Sequence, residues 1–381
     1  MIPERLLLGP GPSPVTARVM RAMANPVLSH LDPEMMRILD EVRGKLGRTF
    51  GAGEGAFAFA VSGTGTSGME AAVANVTAPG AKVLVVVTGY FGARLAEIFT
   101  RYGADVARVD VEWGRACDPQ AVEQALAARP ADIVAMVHAE TSTGVLNPVP
   151  DVMRIARTHG ALTVVDAVTS LGGMPVESGA RDIDVCYSCS QKGLGAPSGL
   201  APIAFSSRAR GARVPSRSFY LDLSLLEDYW VQRKYHHTLS APLMYALDEA
   251  LSAIEEEGLE ARYARHQRHH EALAAGLEAI GLSLFPPAGE RLWTLNTIRV
   301  PAGVDEAAVR RQLLQDFNME IGAGLGPLAG KIWRVGIMGA GSTLTNVLLF
   351  LTALERVLGQ AGYRNAGPGG AAAAAEAAIA R

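Results

Sequence analysis

Cysteine is scarce in this chain: 381 residues hold three, Cys117, Cys186 and Cys189. No paired CxxC or Cys/His ligand spacing links them, which argues against a zinc ribbon, a disulfide framework or a redox pair and leaves reduced core thiols. Charge of one sign is lacking too. With 35 Lys and Arg against 38 Asp and Glu, the net charge of -3 offers no basic face, so nucleic acid is not an expected partner. No apolar run reaches the length of about eighteen residues that a membrane span needs. Met1-Ile2-Pro3-Glu4-Arg5 has no basic-then-apolar build of a leader. The expected compartment is therefore the cytoplasm. No repeat of fixed period is visible, which excludes solenoids and propellers.

What is present is 49% hydrophobic content in a chain long enough for two cores. Between residues 57 and 206, short apolar runs alternate with longer amphipathic ones, the pattern of βαβ units feeding a mostly parallel sheet. The expected strands are Ala56–Val61, Lys82–Thr88, Asp105–Val109, Ile133–His138, Leu162–Asp166, Val185–Ser188 and Ala201–Ser206. Helices are expected over Ser67–Val76, Gly92–Tyr102, Pro119–Ala128 and Val149–His159. Beyond Ala241 the pattern turns helical and then mixed. The reading is an α/β protein with a large three-layer domain over 1–257 and a smaller α+β domain over 258–360. Residues 361–381, rich in Ala and Gly, are expected to be disordered or a frayed helix. His266, His269 and His270 have a superficial metal spacing, but the Arg- and Gln-rich segment reads as a solvated helix face.

Chemistry is suggested by two strand ends. Leu162 to Asp166 finishes in a carboxylate, and the strand from Val185 runs into Ser188-Cys189-Ser190-Gln191-Lys192-Gly193. An acid and a lone amine at neighbouring strand tips match what pyridoxal phosphate requires: a lysine for covalent attachment and an acidic partner for its ring nitrogen. A helix-capping Asp166 and a surface Lys192 are the plainer alternatives. The loop Gly63-Thr64-Gly65-Thr66-Ser67-Gly68 fits GxGxxG between a strand and a helix, as in a nicotinamide-dependent oxidoreductase. The next strand, however, ends Val87-Thr88-Gly89 without the acid that would hold a ribose. A helix N-terminus that receives a single phosphate remains. Arg334 offers the two-pronged donor for a substrate carboxylate, with a surface ion pair as its alternative.

Taken together, Leu6 to Ser13, Ser62 to Gly68, Glu140 to Leu146, Val165 to Ser170, Ser190-Gln191-Lys192, Tyr235-His236-His237-Thr238, Gly322 to Pro327 and Trp333 to Gly336 resemble the alanine–glyoxylate and serine–glyoxylate aminotransferases. These belong to the class V branch of fold-type I pyridoxal phosphate enzymes. The resemblance implies Lys192 as the covalent anchor and catalytic base, and Asp166 at the ring nitrogen. It implies Val168 and Phe91 on the ring faces, and Thr64, Gly65, Thr66 and Gln191 around the phosphate. Thr141 would lie near the ring oxygen or the substrate, with Gly9 and Arg334 as further substrate contacts. Tyr235 and Thr238 would reach the phosphate of a second subunit, making the active unit a homodimer. The implied reaction moves an amino group from a small amino acid, alanine or serine, to a 2-oxo acid, glyoxylate, in ping-pong fashion. Aspartate–glyoxylate, ureidoglycine–glyoxylate and aminoethylphosphonate–pyruvate exchange are the related alternatives, and His30, where the ureidoglycine branch has Gln, argues against the second. A cysteine desulfurase is disfavoured because no cysteine follows Cys189.

Overall fold

The computed structural model describes residues 2–363 and 369–380. Its centre is a seven-stranded sheet of β1 (Phe57–Gly63), β2 (Lys82–Val87), β3 (Asp105–Asp110), β4 (Ile133–Val137), β5 (Leu162–Asp166), β6 (Val185–Tyr187) and β7 (Gly199–Phe205), in the spatial order β1-β7-β6-β5-β4-β2-β3. Strands β6, β5, β4, β2 and β3 run parallel, while β7 is antiparallel to both its neighbours. The sequence explains the placement. Lys82-Val83-Leu84-Val85-Val86-Val87 and Ile133-Val134-Ala135-Met136-Val137 are continuous apolar runs, which suits strands covered on both faces. Asp105–Asp110 lies at the edge, where Asp105, Arg108 and Asp110 are exposed and Val106, Ala107 and Val109 only partly buried.

Helices α1 (Pro33–Phe50), α2 (Gly65–Val76), α3 (Tyr90–Arg101), α4 (Pro119–Ala128), α5 (Val149–Thr158), α6 (Leu223–Gln232) and α7 (Ala241–Glu257) cover this sheet. Helix α1 is delimited by local chemistry. The Asp32 side chain accepts from Glu34 N, Pro33 opens the first turn, and Gly51 ends the helix in the left-handed region at φ 58°. Its buried Met35, Leu39, Val42, Leu46 and Phe50 recur at helical spacing.

A second apolar cluster is built by α8 (Leu259–Ala279), α9 (Glu306–Phe317), α10 (Leu344–Gln360) and a three-stranded sheet of β8 (Leu295–Arg299), β9 (Gly322–Ala323) and β10 (Ile332–Gly336). The N-terminal arm joins it, because Leu6 and Leu7 pair in parallel with Met319 and Glu320. Of the two states expected for the tail, disorder or a frayed helix, the described part takes the helix. Helix α11 (Gly370–Ile379) buries Ala371 and Ala375 in this cluster. Gly276 on α8 leaves room for it: a Cβ there would stand 2.7 Å from the Ala371 carbonyl oxygen. None of the described helices is long and apolar enough to cross a membrane.

The solvated histidine face is corrected. His266 and His270 are buried, and His269 is half-buried against Ser342. His266 Nε2 accepts from Gly339 N at 3.0 Å while Nδ1 faces the Arg262 carbonyl at 2.8 Å, so the ring is used as a neutral donor–acceptor. Burial pushes His266, and likewise His138, down to about 3. A histidine that cannot protonate when folded, but does so near its ordinary value when unfolded, weakens the fold as pH falls. Lowering the pH from 7 to 5 should therefore cost roughly 2 kcal/mol for each of these two rings, read as a drop in the denaturant midpoint accompanied by proton uptake on unfolding. A midpoint that holds steady or rises over that interval would contradict the neutral-ring assignment.

Candidate active site

The carboxyl ends of the parallel strands open on a cavity of about 270 Å³. It is lined by Thr64, Gly65, Thr66, Phe91, Thr141, Asp166, Val168, Gln191, Lys192 and Arg334 from the sequence-derived set, together with Pro10, Gly11, Met69, Arg94, Val137 and Leu325. Gly9, Tyr235 and Thr238 do not line it. Tyr235 is 63% exposed and packs on His30 at a ring distance of 5.2 Å, and Thr238 is exposed.

Lys192 lies in the turn between β6 and β7. Ser190 N donates to the Leu200 carbonyl, Ser190 Oγ to that of Pro197, and Gly195 N to that of Lys192, which folds the backbone back on itself. Gly193 has to be glycine here, since a Cβ would stand 2.2 Å from the Leu171 carbonyl oxygen. Behind it, Arg262 donates to the carbonyls of Gly172 and Gly193 at 2.6 and 2.7 Å, fixing the turn from the α8 side. The arm covers the lysine from the front: Ser13 Oγ donates to the Lys192 carbonyl, and Gly11 leaves a Cβ position only 3.1 Å from Lys192 Cε. The side chain is 7% exposed, so the surface-lysine alternative fails. Its Nζ donates to Thr169 Oγ1 at 2.8 Å and to Thr141 Oγ1 at 3.1 Å, and those two hydroxyls also touch each other. Burial lowers its pKa, against the nearby charges of Cys189 and Asp166 that act to raise it.

Asp166 ends β5 and is 3% exposed. A turn rather than a helix follows. Oδ1 accepts from Val168 N at 2.8 Å, and no ion-pair partner contacts the carboxylate among the described residues. Burial pushes it up to about 6, partly offset by the Val168 N–H and Lys192. Opposite, helix α2 begins at Gly65 with no side chain capping it, leaving its first-turn N–H groups at the cavity edge. Gly65 lets this end approach the floor, because a Cβ would sit 3.0 Å from Val168 Cγ2. The Gln191 Oε1 atom is buried without a partner beside it.

Phe91 is placed by a residue for which no role was expected. Glu140, fully buried, accepts from Phe91 N and Gly92 N at 3.3 and 3.1 Å and from Ser142 N and Oγ at 3.1 and 2.6 Å. It thus acts as the cap of α3 from a distant strand, and Gly89 admits it, since a Cβ there would meet Glu140 Cγ at 2.6 Å. The segment from Glu140 to Leu146 contained it, but only the fold shows that it faces a helix end. Thr169 and Arg94 likewise carried no local signal. Arg334, on β10, is 8% exposed and has no carboxylate in ion-pair contact among the described residues, so its surface ion-pair alternative is not realised. Nε donates to the Ala323 carbonyl at 2.6 Å, which aims the remaining fork, and burial lowers the guanidinium to about 10.

The family description Aminotransferase class-V matches residues 7–329. The (S)-ureidoglycine–glyoxylate transaminase of Bacillus subtilis is 39% identical over 379 residues, covering 93% of this chain and 91% of that protein. The alanine–glyoxylate aminotransferase of Drosophila melanogaster is 37% identical over 367 residues, covering 94% and 93%. Among solved structures, the alanine–glyoxylate aminotransferase of Nostoc sp. superposes with a TM-score of 0.92 at 46% identity, covering 94% of this chain and 96% of that one. The ureidoglycine–glyoxylate aminotransferase of Bacillus subtilis gives 0.97 at 39% identity over 100% and 99%.

Proposed function

The chain belongs to the class V aminotransferases, a pyridoxal-phosphate-dependent family with the fold-type I architecture, and from that premise we propose that it transfers the amino group of a small amino acid, alanine or serine, to glyoxylate. The cavity fits the cofactor. A buried carboxylate raised to about 6 and lacking a cationic contact suits a protonated ring nitrogen, and an uncapped helix end suits a phosphate.

When bound, pyridoxal phosphate supplies an aldehyde for amines and a ring that accepts the electrons left on an amino acid's α-carbon. Lys192 would hold the aldehyde, and its Nζ, made less basic by burial, would take the proton from the substrate Cα and return one. Thr141 and Thr169 keep that amine directed into the cavity. Asp166 would keep the ring nitrogen charged, Val168 and Phe91 would hold the ring between them, and Thr64, Gly65, Thr66 and Gln191 would hold the phosphate. Arg334 would receive the substrate carboxylate, with Gly9 close by on the arm. Tyr235 and Thr238, exposed on this chain, would complete the site of a second copy in a homodimer.

The observation that carries the choice of donor is the Arg334 guanidinium, which has no carboxylate in ion-pair contact among the described residues, at the small-domain side of a cavity of about 270 Å³ also lined by Leu325 and Val137. One carboxylate and a short side chain suit it. A second reading, ureidoglycine as donor, is favoured by the 39% identity to the Bacillus subtilis transaminase of that name. Both readings share glyoxylate, the acceptor named for each relative. With glyoxylate saturating, alanine or serine should exceed ureidoglycine in kcat/KM by at least about tenfold, a difference of roughly 1.4 kcal/mol in transition-state binding. Glycine formation measured for each donor checks this. A preference for ureidoglycine would replace the first reading by the second, and no glycine from any of the three would remove both.

A further inference from the structure

Among the cavity residues, Arg94 has no part in the reading above, yet it is placed as a ligand-binding cation. It projects from α3 one turn beyond Phe91, and its guanidinium lies 5.1 Å from the Phe91 ring centre and 5.2 Å from that of Tyr90. Nη1 donates to Thr66 Oγ1 at 3.2 Å, which brings the charge to the first turn of α2. No carboxylate is in ion-pair contact with it among the described residues, whereas most arginines of the surface are paired.

The charges of the site make this significant. Lys192 feels the carboxylates of Asp166 and Glu140, and Arg334 feels that of Glu140. Arg94, which has no carboxylate in ion-pair contact among the described residues, stands beside the uncapped N–H groups. A phosphate monoester brings a charge near -2 at neutral pH, more than a helix end of about half a charge can match.

We infer that Arg94 supplies the standing positive charge for the phosphate end of the cofactor, and that it ties that end to the stacking ring by touching Thr66 and Phe91 at once. The inference rests on the pyridoxal phosphate site proposed above. It makes Arg94 the residue that distinguishes the phosphorylated cofactor from its unphosphorylated form, pyridoxal.

The test uses the cofactor-free full chain and three probes measured by equilibrium dialysis: pyridoxal phosphate, pyridoxal and inorganic phosphate. In Arg94→Met the affinity for pyridoxal phosphate and for phosphate should fall about tenfold to a hundredfold, the range for one charge-assisted contact, while that for pyridoxal stays within about twofold. Arg94→Gln, which can keep a bond to Thr66 without the charge, should show the same selective loss, and Arg94→Lys should recover much of it. Thermal melting of each variant confirms that folded protein is compared. Equal losses for pyridoxal and pyridoxal phosphate would mean that Arg94 only props the Phe91 ring, and unchanged binding of all three would mean it does neither. Both results overturn the inference. A wild-type protein that binds neither pyridoxal phosphate nor pyridoxal would instead overturn the proposed cofactor site itself, before any variant is considered.

Discussion

Replacing Lys192 by alanine is expected to abolish transamination, with a loss of at least about 10⁴-fold, because one change removes both the cofactor's attachment point and the base. The protein should remain folded. The turn that carries residue 192 is held by backbone groups, through Ser13, Ser190, Gly195 and Arg262, and none of these contacts uses the lysine side chain. Borohydride reduction of the wild-type protein followed by peptide mapping should place the cofactor on the peptide containing residue 192, and the variant should yield no such peptide. Turnover that survives the substitution would remove Lys192 from the mechanism. An arginine in its place would not rescue, since a guanidinium stays protonated at any working pH and cannot take up a proton.

The second large effect is expected at Asp166. Among the described residues its carboxylate accepts from Val168 N, with the Tyr187 hydroxyl beside it and no cation in ion-pair contact, which leaves it free to face a cationic ring nitrogen in the cavity it lines. Asp166→Asn keeps the shape and the contact to Val168 but loses the charge. The expected fall in kcat is about 10²- to 10⁴-fold, comparable to removing one preorganised electrostatic contact or more, with cofactor still bound. The pH dependence has a definite sign. In the ligand-free protein burial raises this carboxyl to about 6, so the ionised form that pairs with a cationic ring is populated above that value and lost below it. Cofactor affinity of the wild type should therefore weaken as pH falls through about 6, while that of Asp166→Asn should be flatter over the same range. Equal slopes for the two proteins would show that Asp166 does not meet the ring as a charge.

How far this could be read beforehand depended on whether a signal is local. Strands β2 and β5 fell where the valine-rich runs and the terminal Asp166 placed them, and β6 led into Lys192 as expected. Direction is different. Nothing in Gly199–Phe205 marks β7 as antiparallel, because the side-chain period of two is the same for both senses. Helix α1 went unread although Asp32, Pro33 and the apolar spacing announce it. The described part of the tail stood between disorder and a helix because composition alone says little about α11, which packs closely at Gly276. Glu140, Thr169 and Arg94 matter through contacts made across 28 to 49 positions of sequence, beyond any spacing rule.

The N-terminal arm has a mechanical consequence. Leu8 is zipped between the Glu320 carbonyl and Gly336 N, and Ser13 is fastened to the carbonyls of Gln191 and Lys192. The five peptide links between those anchors can stretch to no more than about 17 Å. The arm is thus a leash of limited length from the strand that carries Arg334 to the turn that carries Lys192. Rotation of one body against the other would be felt at the lysine backbone within angstroms, and a single inserted residue in that stretch would slacken the connection without altering any side chain in the cavity.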